Sequence, residues 1–392
     1  MVNYEELMTL LSVPRPNGSE AEFRTRRALQ AWLDRQGITH RRHSFRLYPF
    51  FFEPIGIWLI ASRTLLAAAV LLRWGWPALV IALVGLIGGL LDVARGIPLI
   101  TFWGAQRGEN ILIEFGPPAP RQELVLSAHY DTKTELLDHQ QRMFFLKNLR
   151  LGILLTVLTG LCGAFDGWFL AQGASYWANL AYILGIVAAI PLVFLAWGLG
   201  LNLSLGRLAP KSAGAVDNGS ACAILLGLAH HMASGALKLE QTRLTIALFT
   251  GEEVNMQGSR AFTRSRDWPL PAAAVNLEVM AQDGEYVFWE LDGTSLKLEP
   301  TSGDLNQALS LAVQTVTGQP AHPAGPLNSD GGSFLMAGIP STTLGTYHST
   351  LRDRGFHRPT DNLERVVMER LPEGVNILTE LIRAYDQGRV TR

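Results

Sequence analysis

The sequence predicts an α/β fold in which a mixed sheet is covered by helices and interrupted by two transmembrane helical hairpins. Three observations predict it. Strand-like and helix-like segments alternate through most of the chain, a pattern that builds a sheet with helices packed on it. Two long apolar blocks break into that alternation. The whole chain of 392 residues is 48% apolar and 17% charged, with a mean hydropathy of +0.16, against about 25% charged for an average soluble domain.

The elements follow in order. Ser19 and Glu22 form a capping box that opens a helix to about Gln36. Strand-like runs lie at 38–47, 110–115, 123–129, 243–250, 272–279, 285–291 and 340–346, and helical patterns at 218–234, 257–266, 304–317 and 368–386. The first apolar block runs from Pro54 to Gly104, the second from about Arg150 to Gly206, and between Gly167 and Gly206 there are 40 residues without a charge. A spanning helix needs about 20 mainly apolar residues, so each block has room for two spans joined by a turn. Trp58, Trp74, Trp76, Trp103, Trp168, Trp177 and Trp197 fall in these blocks, several at span ends, where an aromatic belt would lie.

The expected organisation is therefore one soluble domain, 1–53 with 105–149 and 207–392, interrupted by a first hairpin at 54–104 and a second at 150–206. Arg63, Arg73 and Asp166 interrupt the apolar blocks, which buried core helices would also allow, but core helices of this length are usually polar along one face. Each hairpin returns the chain to the side it left. Arg46, Arg95, Arg107, Arg142, Lys147, Arg150, Arg207 and Lys211 flank the spans on that side, and only Arg73 lies at the opposite turns. The positive-inside rule then places the soluble domain in the cytoplasm.

Charge excludes one class of function: 33 Lys+Arg balance 34 Asp+Glu, so the basic footprint of a nucleic-acid binder is missing. Cys162 and Cys222 are too few for a disulfide framework. The acidic start of the chain does not read as a signal peptide. No phosphate-binding loop, dinucleotide glycine fingerprint or serine-nucleophile elbow occurs.

What remains is a series of strand ends that carry metal-binding side chains. The run 123–129 ends in His129, and Asp131 lies two residues on, where an extended chain puts it on the same face. A carboxylate there can accept the imidazole N–H that faces away from a metal. Asp217 precedes a small-residue turn that opens an apolar helix; it reads as a helix N-cap or as a carboxylate bridging two ions. Glu252 and Glu253 follow a buried strand, and such a pair needs a cation to offset it. One of them can ligate the cation and the other can act as general base. Glu278 lies inside an apolar strand, beside Asn276 and Leu277. His357, with Asp361 four residues on, competes with His348 for the last ligand place. The set His129, Asp217, Glu253, Glu278 and His357 offers three carboxylates and two imidazoles, which suits zinc, with cobalt or manganese as substitutes. One shared carboxylate would give each of two ions three protein ligands.

The ordered motifs HYD, VDNGS, GEE…GS, NLE, SDGGSF…GIP and H-x-x-x-D resemble those of the M28 (aminopeptidase Y/S-type) zinc peptidases. The resemblance spans about residues 5–385, with the apolar blocks as insertions. It implies a phosphorylase/hydrolase-like fold and a co-catalytic pair of zinc ions. His129 and Glu278 would serve one zinc, and Glu253 and His357 the other. Asp217 would bridge them, Glu252 would be the general base and acid, Asp131 would orient His129, and Asp330 would play a structural or supporting part. The family's usual residue at the Glu278 position is Asp, and the extra methylene moves the carboxylate by about 1.5 Å.

The function expected is a membrane-anchored, zinc-dependent exopeptidase, an aminopeptidase acting on peptides with a free N-terminus, with His348 or Tyr347 as candidate donors to the oxyanion. The bilayer is its expected partner. Because the second hairpin leaves the chain just after the metal-bearing strand, substrates are expected at the membrane surface. Two rivals are a single-zinc acyltransferase of the glutaminyl cyclase kind and a non-catalytic membrane scaffold. A complete five-ligand set argues against the first, and the presence of Glu252 against the second.

Overall fold

The computed structural model describes residues 2–95, 99–294, 297–347 and 355–390. The chain forms two compact units, one of Met1–Pro49, Ala105–Thr134 and Pro210–Arg392, the other of Phe50–Gly104 and Glu135–Ala209.

The first unit is built on strands β1 (Arg41–Leu47), β2 (Gln106–Phe115), β3 (Gln122–His129), β4 (Thr242–Phe249), β5 (Ala272–Glu278), β6 (Glu285–Trp289), β7 (Leu291–Gly293), β8 (Leu298–Pro300), β9 (His322–Ala324) and β10 (Ser341–Tyr347). Eight of them form one mixed sheet in the order β1-β2-β4-β3-β5-β10-β6-β9, and β7 and β8 pair apart from it. This is the helix-covered mixed sheet that the sequence predicts. The three-residue strands β7, β8 and β9, and the short helices Tyr4–Leu11 and Asp330–Met336, had no readable period.

Alternation along the central strands divides the core. Leu124, Leu126 and Ala128 of β3, with Leu244, Ile246 and Leu248 of β4, face a large cluster that includes Ile224, Leu225 and Leu228 of the helix Ser220–Ala233. Val125, Ala247 and Phe249 point the other way, onto Phe262 and Phe334. Covered on both faces, β3 is buried at every position, as a central parallel strand requires. The strands β4, β3 and β5 run parallel, and their register pairs His129 with Phe249 and Ser127 with Asn276. Their carboxyl ends therefore finish level with one another, and that edge carries the site.

In the second unit, four helices are long and apolar enough to cross a membrane: Phe52–Leu71, Trp76–Arg95, Leu149–Ala171 and Ser175–Leu205. The last has 31 residues and contains Pro191, so it is longer than the span of about 20 expected. The helices meet through small residues. A Cβ added at Gly163 would lie 2.6 Å from the Ala78 Cβ, one at Gly160 2.7 Å from the Ala82 Cβ, and one at Gly167 2.7 Å from the Gly75 Cα. Small residues at the contacts let the helix backbones approach closely. Arg73 makes a two-pronged ion pair with Asp166, 2.8 Å at the closest approach, and donates to Asn179.

Candidate metal and catalytic site

Every ligand candidate among the described residues lies at the carboxyl edge of the sheet or in the turns beside it. β3 ends in His129 and β5 in Glu278, while β4 leads through Gly251 (φ +82°) to Glu252 and Glu253. Asp217 lies just before the helix Ser220–Ala233, next to a cis peptide bond to Asn218. His357 reaches in from the segment after β10.

Asp217 stands between two half-sites. Its Oδ1 lies 3.3 Å from His129 Nε2, which is also 3.2 Å from Glu278 Oε1. Its Oδ2 lies 3.3 Å from His357 Nε2, which is also 3.0 Å from Glu253 Oε1. Glu252 approaches from the rim, with Oε2 3.9 Å from His129 Nε2 and its side chain 12% exposed. His129, Asp217, Glu253, Glu278 and His357 are all buried. The ligand atoms of His129, Asp217 and Glu278 lie within 4.8 Å of one another, and so do those of Asp217, Glu253 and His357. The pairing of the two consecutive glutamates, open in the sequence, is therefore distinguished by geometry: Glu253 faces His357 and Glu252 faces His129. The longer Glu278 side chain still reaches the imidazole.

The donor set suits divalent zinc. Asp217 Oδ1 and Glu253 Oε1 are buried without a well-aligned hydrogen bond, each beside an imidazole nitrogen and other carboxylates. Buried carboxylates in that state need a cation. Neutral imidazole with carboxylate oxygen is the ligand chemistry of zinc centres.

Charge in the site is tightly linked. Burial works against a charged His129, but Glu278, Asp131 and Asp217 outweigh it and hold the imidazole well above its ordinary pKa. Burial raises Glu252 well above the usual carboxylate range; His129 counters this, and Glu253 and Glu278 reinforce it. Burial also raises Glu278. Asp217 goes the other way, because His129 and His357 overcome its burial.

Behind the ligand atoms, Glu278 and Asp131 are each fixed by one carboxylate oxygen, which leaves the other facing His129. Glu278 Oε2 lies 3.3 Å from the amide nitrogens of both Asn218 and Asn276, and its Oε1 faces His129. Asp131 Oδ2 accepts from Asn17 Nδ2 at 2.6 Å and from the Glu253 N–H at 3.1 Å, while its Oδ1 lies 3.6 Å from His129 Nδ1. Asp361 accepts from the N–H groups of Val216 (2.7 Å) and Asp217 (3.2 Å), so the H-x-x-x-D motif secures the Asp217 turn. Asp131 and Asp361 were marked in the sequence by their spacing from His129 and His357; Asn17, Asn218 and Asn276 were not read there as supports.

Non-glycine residues with left-handed backbone gather here: Asn255 (φ +79°), Met256 (+54°), Val279 (+55°), Ala281 (+54°) and His357 (+60°). Such conformations cost about 1–3 kcal/mol each and persist where the surroundings over-determine them. Asp330 is fully buried at the start of the helix Asp330–Met336, its carboxyl pushed up to about 8 by burial. Tyr347 closes β10, and His348 lies outside the described residues.

Residues 203–381 match the model of peptidase family M28. This stretch holds Asp217, Glu252, Glu253, Glu278 and His357; His129 and Asp131 precede it. Solved structures share the fold. A zinc aminopeptidase from Bacillus subtilis aligns at 12% identity over 97% of this chain and 94% of its own, with a TM-score of 0.58. An aminopeptidase from Aneurinibacillus sp. strain AM-1 aligns at 13% identity over 97% and 92%, with a TM-score of 0.56. A glutaminyl cyclase from Bacteroides thetaiotaomicron, bound to N-acetylhistamine, aligns at 12% identity over 97% and 95%, with a TM-score of 0.55. No curated protein matches the chain by sequence.

Proposed function

We propose that this protein is a membrane-anchored, zinc-dependent aminopeptidase that removes residues from peptides with a free N-terminus. One observation carries the reading: Asp217 is shared between two equivalent half-sites, His129 with Glu278 and His357 with Glu253. These five residues would hold two zinc ions, with cobalt or manganese as substitutes. When bound, the pair supplies Lewis acidity toward a peptide carbonyl and acidifies water.

The chain's own groups do the rest. Glu252, the least buried acid of the cluster, accepts a proton from the attacking water and passes it to the departing amine nitrogen as the C–N bond breaks. Asp131 keeps the proton of His129 on Nδ1, so that Nε2 presents its lone pair to the ligand side. A single-zinc acyltransferase, the reading suggested by cyclase neighbours, would leave half of this set without a task.

Membrane anchoring is supported by the four apolar helices of the second unit. Positively charged residues flank the helices on the side of the soluble segments. At the opposite turns, Arg73 is neutralised by Asp166. This favours a cytoplasmic peptidase unit.

The test is zinc content of the detergent-purified protein together with hydrolysis of aminoacyl-naphthylamides, with and without chelator. About two zinc per chain and chelator-sensitive release are expected. One zinc without hydrolysis would favour the acyltransferase, and neither metal nor hydrolysis would leave the scaffold.

A further inference from the structure

The loop between the helices Tyr4–Leu11 and Glu20–Arg35 carries Arg15, Pro16 and Asn17, far outside the stretch that matches the peptidase family. It runs beside the continuation of β3. Pro16 pairs with Thr132 as a parallel bridge, the Arg15 N–H donates to Thr132 Oγ1 at 2.9 Å, and the Thr132 N–H donates to Arg15 O at 3.2 Å. The fully buried Arg15 guanidinium anchors this loop. It donates to the carbonyls of Val13 (2.9 Å), Ala213 (2.8 Å) and Gly214 (2.9 Å), and to those of Leu11 and Tyr130. Gly214 has φ +60°, and a Cβ there would collide with Thr132. The loop and the turn leading to Asp217 are thus fitted closely to the same residues.

Asn17, 2% exposed, projects from this anchored loop into the site. Its Nδ2 donates to Asp131 Oδ2 at 2.6 Å, and its Oδ1 lies 3.2 Å from Thr250 Oγ1. The amide is strung between the ends of β3 and β4. Its orientation follows from chemistry, since the reverse would press Oδ1 against a carboxylate. Asp131 Oδ2 is shared between Asn17 and the Glu253 N–H, which turns Oδ1 toward His129.

We infer that Asn17 is a positioning residue of the metal centre: by holding Asp131, it fixes the His129 ring on one side of Asp217 and the Glu253 backbone on the other. This inference rests on the metal reading above. Partners of this kind, one step removed from the ligands, change metal affinity by about 10–100-fold when they are removed.

The test uses the full chain in detergent, stripped of metal and titrated with zinc against a chromogenic chelator, with the thermal midpoint of the metal-free protein measured beside it. Asn17→Ala is expected to bind zinc about 10–100-fold more weakly than the unaltered protein, with a metal-free midpoint close to it. Asn17→Asp, nearly the same shape, sets a second carboxylate against Asp131 and is expected to lose at least as much. A lowered midpoint with unchanged zinc affinity would mark Asn17 as structural only and overturn the inference. If Asn17→Ala does not fold, the same comparison on Asn17→Asp decides. Unaltered protein that takes up no zinc refutes the metal reading itself, whereas tight zinc in the unaltered protein and in both variants refutes the role of Asn17 alone.

Discussion

The two units of this chain handle bulk and polarity in opposite ways. In the first, large apolar side chains such as Leu126, Leu248 and Phe334 are fully buried, and the buried Asp131, Asp217, Glu253 and Glu278 lie at one edge of the sheet. In the second, small residues such as Gly160, Gly163, Ala78, Ala82 and Ala188 lie between the helices, while Val187 and Ile190 are 60% and 66% exposed. Burying large groups is stabilising when the alternative is water, and it gains little when the surroundings are as apolar as the side chain. The difference accords with the membrane setting proposed for the second unit.

The sharpest break of that comparison is chemical. Glu252→Gln is expected to lower turnover by about 10²–10⁴-fold while zinc content stays unchanged, because a proton carrier is lost and no ligand is removed. Elemental analysis beside a naphthylamide assay checks it, and loss of zinc would disprove the division of labour between Glu252 and Glu253. Second in size is a matched pair of substitutions. Val187→Asp, on an outward face of the second unit, is expected to cost about 2.5–3.5 kcal/mol of membrane insertion in a translocation assay. Leu311→Asp, 55% exposed in the first unit, is expected to change stability toward urea by less than about 0.5 kcal/mol. Equal tolerance at both positions would erase the distinction between the solvents.

A smaller effect is expected at the helix contacts. Gly163→Val brings a side chain onto Ala78 and is expected to lower stability in detergent by about 1–3 kcal/mol, read from thermal inactivation. The last concerns pH. Burial raises the Glu22 carboxyl from 4.5 to about 7, partly offset by donors from Thr250 and Gly18 and by Arg26, and reinforced by Asp131. A raised carboxyl pKa means that the folded state keeps a proton the unfolded chain has lost. The stabilisation is whole below pH 4.5 and fades as pH rises through about 7. Denaturation profiles of Glu22→Gln should lack this slope, a difference of at most about 3 kcal/mol.

Much of this was legible in the sequence, for physical reasons that differ by residue. The central strands could be read because burial on both faces demands continuous apolar runs. The five ligand candidates stood out because His and carboxylates at the ends of such runs are costly without a partner. Asn17 and Arg15 carried no such mark, since a polar residue in a loop ordinarily meets water. Their importance arises when the loop closes on β3, more than a hundred residues away in the chain. The task of Asp361 was hidden for the same reason, because its acceptors serve the backbone of Val216 and Asp217. The length of the helix Ser175–Leu205 went unread because an apolar run continues past a membrane's thickness without any change in composition.

The clamp at Asn17 has a consequence for the making of the protein. Its partners span the chain from residue 17 to Glu253, and the donor set is completed only by His357. At 5–20 residues per second, roughly 20–70 s separate the synthesis of the first of these side chains from that of the last. Until His357 is made, the nascent chain therefore lacks one of the five residues of the buried cluster, however many of its strands have formed.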